Sequence, residues 1–384
     1  MSANALVPPT GPGRAVPPAV VALLVLVSCT APTRGAAPGL PHPTARPSPS
    51  AQSVRTCFVA PPERWTELLD RRAVALPPGL SFGVGAVGTG GTEVYGQLRS
   101  PAGEGVAELD LGSGRLTSIA SYPPGASGLG WMAAEFPWLV WEEGDSRTDL
   151  GSWSLYAWNQ RTGRRLLLAR SGGGDAPPGQ PPLPALRGGE VTWAQPVPGG
   201  GPAPRAQVHV FDLAHGRDTV LATGTVSSPV FAGPYLVWAR IDARGSTGLQ
   251  AVDAADLRPA SLPAGVGHPG SVGYLAGSRE YLVWSSGDLT RLTAWRIGTG
   301  GSTIYTSDLR HPFQFLQLAG HFLLWFGGAT ASILDLETGA AFDLPGTVAG
   351  SGGTIVAARP LPGSGTRVSD LPLQELGPDP RCPG

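Results

Sequence analysis

Residues 270–307 read GSVGYLAGSREYLVWSSGDLTRLTAWRIGTGGSTIYTS, and this stretch decides the fold. It holds four short apolar segments separated by turn-forming Gly, Ser and Asp. The first (270–277) is rich in small residues, the second (281–284) ends in Trp, the third (293–300) runs into a turn, and the fourth covers 303–307. Short apolar runs bounded by such turn residues predict four consecutive β-strands.

The Trp-ended segment recurs along the chain at intervals of 41 to 52 residues. Its terminal aromatic ring falls at Tyr95, Trp141, Trp193, Trp238, Trp284 and Trp325, and residues 354–357 form a degenerate seventh copy. A turn-ending segment follows each copy, as in AELDLGSG (107–114), HVFDLAHG (209–216) and SILDLETG (332–339). Asp bonds its own backbone in such a turn and Gly takes the positive-φ position, so the pattern predicts hairpins.

Four short strands in roughly 43 residues, without helices between them, are typical of a β-propeller blade. We therefore expect an all-β, seven-bladed β-propeller whose Trp-ended strands pack between neighbouring sheets. The expected inner strands cover residues 81–88, 127–135, 183–188, 227–233, 271–277, 313–320 and 347–352. Six blades are the alternative count, and a β-sandwich is the alternative all-β fold.

An aromatic strand followed by a DLxTG turn resembles the blades of TolB-type and WD-repeat-like propellers. The resemblance covers residues 81–376. It implies the architecture and no particular activity, because the Trp-Asp dipeptide of WD repeats is missing.

The last repeat lacks an outer strand of its own. We expect Arg55–Val59 to supply it beside the C-terminal tail, so that N- and C-terminal segments close the ring. This closure would bring Cys57 near Cys382, and a leftover cysteine pair in an exported protein is a disulfide candidate. Two free thiols are the alternative.

Residues 61–70 (PPERWTELLD) predict one short helix, because prolines open it and Trp65, Leu68 and Leu69 share one face. Residues 172–204 hold nine Gly and nine Pro, and are expected to be mostly loop around the third inner strand.

The N-terminus carries an export signal. The apolar run 19–27 is too short to span a bilayer, and Leu26-Val27-Ser28-Cys29 follows it. These four residues resemble the lipobox of bacterial lipoproteins, which implies cleavage before Cys29 and acylation of that cysteine. The expected organisation is a signal peptide (1–28), a Pro-rich tether (29–54) and a propeller body (55–384) on the extracytoplasmic face of the cell membrane. An ordinary secretory signal with a chance cysteine is the alternative.

Composition excludes two classes of protein. The chain has 27 basic residues, all Arg, against 28 acidic ones, so its net charge of −1 excludes bulk electrostatic binding to nucleic acid. Gly and Pro, 56 and 41 residues, are too frequent for a helical bundle. We expect a monomer without a nucleic-acid partner.

The sequence predicts no catalytic motif and no cofactor. Gly83-x-Gly85-x-x-Gly88 precedes a predicted strand rather than a helix, so no helix N-terminus is available for a pyrophosphate. No Gly-x-Ser-x-Gly or His-Glu-x-x-His segment occurs.

The candidate ligand or metal residues are acidic. Glu142, Glu143, Asp145 and Asp149 form the densest acidic cluster, and Asp242 and Glu280 flank other Trp-ended strands. Carboxylate oxygens of this kind suit Ca²⁺, and a solvated loop is the alternative. A second candidate set, for stacking on sugars or a partner, consists of Trp131, Trp138, Trp153, Trp158 and Trp295, with burial in the core as the alternative.

These patterns favour a binding or scaffold module for a protein, peptide or glycan partner at the cell envelope. A sensor domain fits the same features. The alternative is a propeller enzyme, such as a hydrolase or lactonase, with a site at the axial channel.

Overall fold

The structure is a computed structural model, and it describes residues 52–124, 128–144, 152–171, 182–197, 205–242, 247–299, 301–306, 312–326, 330–361 and 365–382. Cys29, the predicted signal, nearly all of the predicted tether, Asp145 and Asp149 lie outside these residues. The described fold is all-β apart from two short α-helices and one 3₁₀ turn. None of the described helices is long and apolar enough to cross a membrane.

The described chain opens with three short strands and a helix. They are β1 (Gln52–Arg55), β2 (Cys57–Phe58), α1 (Glu63–Arg71) and β3 (Val74–Ala75). The helix spans nearly the predicted range, and Trp65, Leu68 and Leu69 form its buried face. Trp65 packs edge-on against Phe322 and Phe342, with ring centroids 5.2 and 4.7 Å away.

The remaining strands fall into seven repeat units, numbered one to seven in chain order. Unit one contains β4 (Ser81–Val87), β5 (Glu93–Ser100), β6 (Gly103–Asp110) and β7 (Leu116–Tyr122). Unit two contains β8 (Gly128–Glu135), β9 (Trp138–Gly144), β10 (Trp153–Asn159) and β11 (Arg165–Arg170). Unit three contains β12 (Ala185–Arg187), β13 (Glu190–Pro196), β14 (Ala206–Asp212) and β15 (Arg217–Val226).

Unit four contains β16 (Val230–Ala232), β17 (Tyr235–Ile241), β18 (Thr247–Asp253) and β19 (Pro259–Ala260), followed by α2 (Ala264–Gly267). Unit five contains β20 (Leu275–Gly277), β21 (Tyr281–Ser285), β22 (Arg291–Arg296) and β23 (Ser302–Thr306). Unit six contains β24 (Gln317–Ala319), β25 (Phe322–Phe326), β26 (Thr330–Asp335) and β27 (Ala340–Pro345). Unit seven contains β28 (Thr347–Ser351), β29 (Thr354–Leu361) and β30 (Gly365–Pro372), and the 3₁₀ turn Leu373–Glu375 follows.

Within each unit, consecutive strands pair antiparallel, as the hairpin signals predict. Among the described residues the strands form six sheets, because units three and four are joined through two residue pairs between β15 and β17. In unit six, Asp335 Oδ1 accepts backbone hydrogen bonds from Glu337 and Thr338, and Gly339 has a φ of +76°. The DLxTG sequence therefore makes the turn expected of it.

The N-terminal segment pairs differently from the prediction for Arg55–Val59. β1 joins the outer edge of unit five, parallel to β23, and β2 joins the outer edge of unit six, parallel to β27. The outer strand of unit seven is instead β3, antiparallel to β30. The prediction of closure by Arg55–Val59 is wrong, because this segment pairs with the outer strands of units five and six. The strand that completes unit seven comes about 20 residues later in the chain.

Cys57 and Cys382 nevertheless form a disulfide bond, with 5.7 Å between their Cα atoms. The tail that ends at Cys382 reaches β2 on unit six, since Cys57 pairs with Ala340. The predicted disulfide is present although the predicted strand pairing is not.

The apolar core lies between the units. Buried apolar side chains of the described residues form seven clusters, and each cluster combines residues from two consecutive units, unit seven being followed by unit one. The repeat aromatic residues Trp141, Trp193, Trp238, Trp284 and Trp325 all belong to these clusters and are at most 4% exposed. Their predicted role in packing between sheets is confirmed.

Candidate functional site

A large hollow in the described structure lies against the first strands of all seven units. It has a volume of about 610 Å³ and is lined by segments around β4, β8, β12, β16, β20, β24 and β28. Ligand sites usually have volumes of about 300 to 1,000 Å³. A smaller hollow of about 140 Å³ lies against β6 and β7 of unit one, away from the other units. We call the larger hollow the axial cavity.

Small residues allow the first strands to approach one another around the axial cavity. A Cβ atom at Gly350 would lie 2.7 Å from the Ala319 Cβ, and one at Gly277 would lie 2.1 Å from the Phe231 carbonyl oxygen. Contacts this short do not occur in folded proteins, so larger residues would push neighbouring strands apart. The Gly- and Ala-rich first segments of each repeat are therefore explained by packing.

Each first strand ends its sheet and pairs with only one neighbouring strand in the described structure. Backbone groups on its other edge turn toward the adjacent unit or the cavity. Some of these groups bond across units: the Val84 N–H donates to Thr347 Oγ1 at 2.9 Å, and the Gly350 N–H donates to Gln317 Oε1 at 3.4 Å. The cavity wall thus combines small apolar side chains with peptide groups that can bond a polar ligand.

Three aromatic rings meet at the end of the cavity where first strands begin. The Phe315 ring centroid lies 5.7 Å from that of Trp131 and 5.1 Å from that of Tyr274, and Trp131 and Tyr274 line the cavity. The rings come from units two, five and six, so the Trp131–Phe315 contact spans the cavity. Phe315 has a φ of +53°, a left-handed conformation that a bulky residue rarely adopts.

Charged side chains lie at the other end, where first strands pass into second strands. Glu135, Arg279 and Glu280 line the cavity there, and Arg187 is near enough to interact with Glu135 and Arg279. The Arg187 guanidinium donates to the Gly233 carbonyl and lies over the Phe231 ring at 4.5 Å. Burial lowers the pKa of Arg187 from its ordinary value.

Arg279 differs from Arg187 in being exposed, and it has no hydrogen bond or ion pair to any described residue. Glu135 accepts a hydrogen bond from the Gly188 N–H. The rim therefore has mixed charge, with Arg279 as the cation that is available to a ligand.

The predicted acidic residues do not assemble into one site. Glu142 and Glu143 are consecutive on β9, so their side chains leave opposite faces of the sheet. Asp242 directly follows β17, whereas Glu280 directly precedes β21, so they lie at opposite ends of equivalent strands. In the described part of the chain, these residues form no group of three ligand atoms close enough to hold one metal ion.

Glu143 forms a structural ion pair with Arg165. Its carboxylate accepts a hydrogen bond from the Tyr122 hydroxyl and lies 3.1 Å from Arg165 Nη2. The Arg165 guanidinium also lies over the Tyr156 ring, 3.7 Å from its centroid. This arrangement ties β7, β9, β10 and β11 together at the junction of units one and two.

Glu142 is buried, with 3% of its surface exposed, and sits behind the cavity wall. Burial, followed by repulsion from the Glu143 carboxylate, raises the pKa of Glu142 from 4.5 to about 7, against the opposing effect of a hydrogen bond from the Trp131 N–H. A solvated loop was the alternative for this residue, and the structure excludes it for Glu142.

The candidate tryptophans separate into two kinds. Trp153 and Trp295 are core residues, 1% and 2% exposed, and Trp138 and Trp158 are half-buried against the clusters of unit two. Trp131 alone among them lines the axial cavity. Sequence reasoning did not identify Tyr274, Phe315 or Arg279, and the only signal was their place next to a Gly- or Ala-rich first segment.

Comparison with protein-family models finds no match, and comparison with curated proteins finds none. Among solved structures, a prolyl endopeptidase aligns with a TM-score of 0.49 and 14% identity over 82% of this chain. The alignment covers 50% of that protein, so this chain spans about half of its length.

Two further structures are similar to this chain at the same low level. An oligogalacturonate lyase from Vibrio parahaemolyticus aligns with a TM-score of 0.47 and 8% identity, over 78% of this chain and 93% of that one. The β-propeller domain of the Trilobed protease from Pyrococcus furiosus aligns with a TM-score of 0.42 and 10% identity, over 68% and 74%. These similarities assign neither a family nor an activity to the chain.

Proposed function

We propose that this protein is a seven-bladed β-propeller, anchored by lipidated Cys29 to the extracytoplasmic face of a bacterial membrane. It acts as a binding or scaffold module whose axial cavity receives part of a protein, peptide or glycan partner. The observation that carries the proposal is the axial cavity itself, which is bounded by all seven units.

A closed cycle of contacts supports seven blades. The first strands contact one another in the order β4, β8, β12, β16, β20, β24 and β28, and β28 contacts β4. The seven apolar clusters follow the same cycle, including one between units seven and one. A six-bladed ring would leave one of these units without a place.

The lining of the axial cavity supports binding rather than covalent chemistry. Its titratable side chains in the described structure are Glu135, Arg279, Glu280 and Tyr274. Glu135 already accepts a hydrogen bond, and burial raises the pKa of Tyr274. The wall therefore offers aromatic faces, peptide groups and a charged rim, a combination suited to recognising an extended polar ligand.

The membrane anchor rests on the lipobox resemblance at Leu26–Cys29. Several acyl chains on one cysteine hold a protein stably on a membrane, whereas one chain is marginal. Mass spectrometry of the membrane fraction tests the anchor. A mature chain that begins at Cys29 with acyl groups agrees with it, and a mature chain without them contradicts it.

Blocking the cavity mouth tests the binding role. Gly352 lines the cavity and is exposed, and a Cβ atom added to it would have no other atom within 4 Å, so Gly352→Trp fits the backbone and fills the mouth. Gly265 has equal space outside the cavity, so Gly265→Trp is the matched control. Residues 52–384, which retain β1, are used as bait on native envelope extracts. We expect Gly352→Trp to lose at least about tenfold of the captured partner, equivalent to about 1.4 kcal/mol, while Gly265→Trp retains it. Equal capture by both variants would contradict binding in the cavity.

A hydrolase or lactonase is the second candidate function, and the raised pKa of Glu142 is the observation that favours it. The Glu142 carboxyl group has a pKa of about 7 and accepts a hydrogen bond from the backbone of Trp131 in the cavity wall, so its proton affinity suits a general acid or base near neutral pH. Chromogenic glycoside, ester and lactone substrates test this role. Turnover that Glu142→Gln abolishes would favour the enzyme over the binding module.

A further inference from the structure

Three side chains from distant parts of the sequence meet on unit six, outside the axial cavity. His321 lies in the turn between β24 and β25, Asp335 ends β26, and Asp379 lies in the C-terminal tail. His321 Nε2 is 3.5 Å from an Asp379 oxygen and 3.9 Å from an Asp335 oxygen. One ligand atom from each residue lies within 4.8 Å of the other two.

Two features of this group call for a cation. Asp335 has a fully buried side chain, and its hydrogen bonds all come from neutral groups of its own turn, Glu337 N–H, Thr338 N–H and the Thr338 hydroxyl. His321 Nε2 is itself buried and has no hydrogen-bond partner among the described residues. A buried carboxylate beside an imidazole nitrogen that makes no hydrogen bond is unfavourable unless a bound cation, or a proton on that nitrogen, compensates the charge.

We propose that His321, Asp335 and Asp379 bind a divalent transition-metal ion of the Zn²⁺ class. Imidazole nitrogen and carboxylate oxygen are Zn²⁺ ligands with bonds of about 2.0–2.2 Å, which places neighbouring ligand atoms of a tetrahedral site roughly 3.3–3.6 Å apart. The observed separations of 3.5 and 3.9 Å need only small side-chain adjustments. Two carboxylates neutralise the ion, and the fourth position is left for water.

The imidazole ligand distinguishes this site from one for Ca²⁺ or Mg²⁺. Both of those ions prefer oxygen ligands, Ca²⁺ with six to eight of them and Mg²⁺ in octahedral geometry. A site with one nitrogen and two carboxylates ranks transition metals above them. The site therefore selects for ion type as well as charge.

A metal here would fasten the C-terminal tail to unit six. Asp379 is three positions before Cys382, whose partner Cys57 lies on the outer edge of the same unit. The metal and the disulfide would hold the tail at two neighbouring points. This inference is independent of the proposed binding function, because none of the three ligands lines the axial cavity.

The test is Zn²⁺ titration of the purified full-length chain, with Cys29 alkylated, after removal of metal by a chelator. Calorimetry measures affinity and stoichiometry, and thermal melting is followed in parallel. We expect one Zn²⁺ per chain, a higher melting temperature with Zn²⁺, and binding of Ca²⁺ and Mg²⁺ that is at least about tenfold weaker. Asp379→Asn and His321→Gln should each weaken Zn²⁺ binding at least about tenfold and remove the melting shift.

The matched control is Asp218→Asn. Asp218 also pairs with a histidine, at 2.9 Å from His209 Nδ1, but no third ligand joins that pair in the described structure. Its Zn²⁺ affinity should equal that of the unmodified protein. The proposal is overturned if no stoichiometric Zn²⁺ binds, or if binding survives in both Asp379→Asn and His321→Gln. Circular dichroism confirms that each variant is folded, and Asp379 is 38% exposed, so its replacement is mild.

Discussion

Removing the Cys57–Cys382 disulfide should lower the free energy of unfolding by several kcal/mol. The bond joins residues 325 positions apart, so it restricts almost the whole described chain in the unfolded state. The chain-entropy relation gives about 5–6 kcal/mol for a loop of this length at 25 °C. The perturbation is the double variant Cys57→Ala/Cys382→Ala in a Cys29→Ser background, which leaves no thiol to form other disulfides.

Urea unfolding followed by tryptophan fluorescence measures the effect, since all five repeat tryptophans are buried. Without the crosslink the unfolded chain expands, so the dependence of the unfolding free energy on urea should also steepen. The Cys29→Ser protein with its disulfide intact is the reference. The same protein reduced with dithiothreitol should match the double variant, because both lack only the crosslink.

A loss of less than about 1 kcal/mol with an unchanged urea dependence would refute this reasoning. It would mean that the unfolded chain is already compact without the crosslink. A much larger loss in the double variant than in the reduced protein would point instead to packing by the cysteine side chains.

Three other predictions follow from individual residues. The folded-state pKa of Glu142, about 7, exceeds its unfolded value, so the folded protein loses stability as the pH rises from about 4.5 to 7. Urea unfolding at pH 4 and pH 8 should show that Glu142→Gln removes this loss, which amounts to about 3 kcal/mol at pH 8. Equal pH dependence of the variant and the unmodified protein would count against the raised pKa. Trp65→Ala should lower the free energy of unfolding by about 3–5 kcal/mol, because the ring is fully buried against Phe322 and Phe342. A loss below about 1 kcal/mol in urea unfolding would show that packing of α1 contributes little to stability. Gly339→Ala should be more destabilising than Gly163→Ala in chemical denaturation. Both glycines have positive φ, but only a Cβ atom at Gly339 would lie 2.7 Å from a Val54 side-chain carbon. Equal losses of unfolding free energy in the two variants would argue against the packing of β1 on this turn.

Local sequence patterns predicted the repeat units well. The aromatic residues at the ends of second strands are buried, and the turn at Asp335–Gly339 forms through bonds between neighbouring residues, so a short window of sequence specifies it. These features depend on interactions within one hairpin or on a side chain large enough to need burial.

The pairing of the N-terminal segment was not predictable in the same way. β1 and β2 are parallel additions to units five and six, some 250 to 280 residues away in the chain, and short edge strands carry little pattern of their own. Val74–Ala75, which completes unit seven, is only two residues long.

The candidate site was harder still to predict. Two consecutive glutamates look like a solvated pair, yet strand geometry buries Glu142 and leaves Glu143 to Arg165. The aromatic contact of Trp131, Tyr274 and Phe315 joins three units, and the His321 group joins a turn, a strand end and the tail. Such assemblies depend on contacts between units that are far apart in the chain rather than on local spacing.

The position of Cys57 has a mechanical consequence. The described chain begins at Gln52 on the outer edge of unit five, so a pull on residues before it first loads the four residue pairs of β1 with β23. Once those hydrogen bonds yield, the tension reaches Cys57 and passes through a covalent bond to Cys382. Peeling therefore stops after one short strand, and the rest of the body stays folded under a load that would otherwise strip β2 and α1 from its surface.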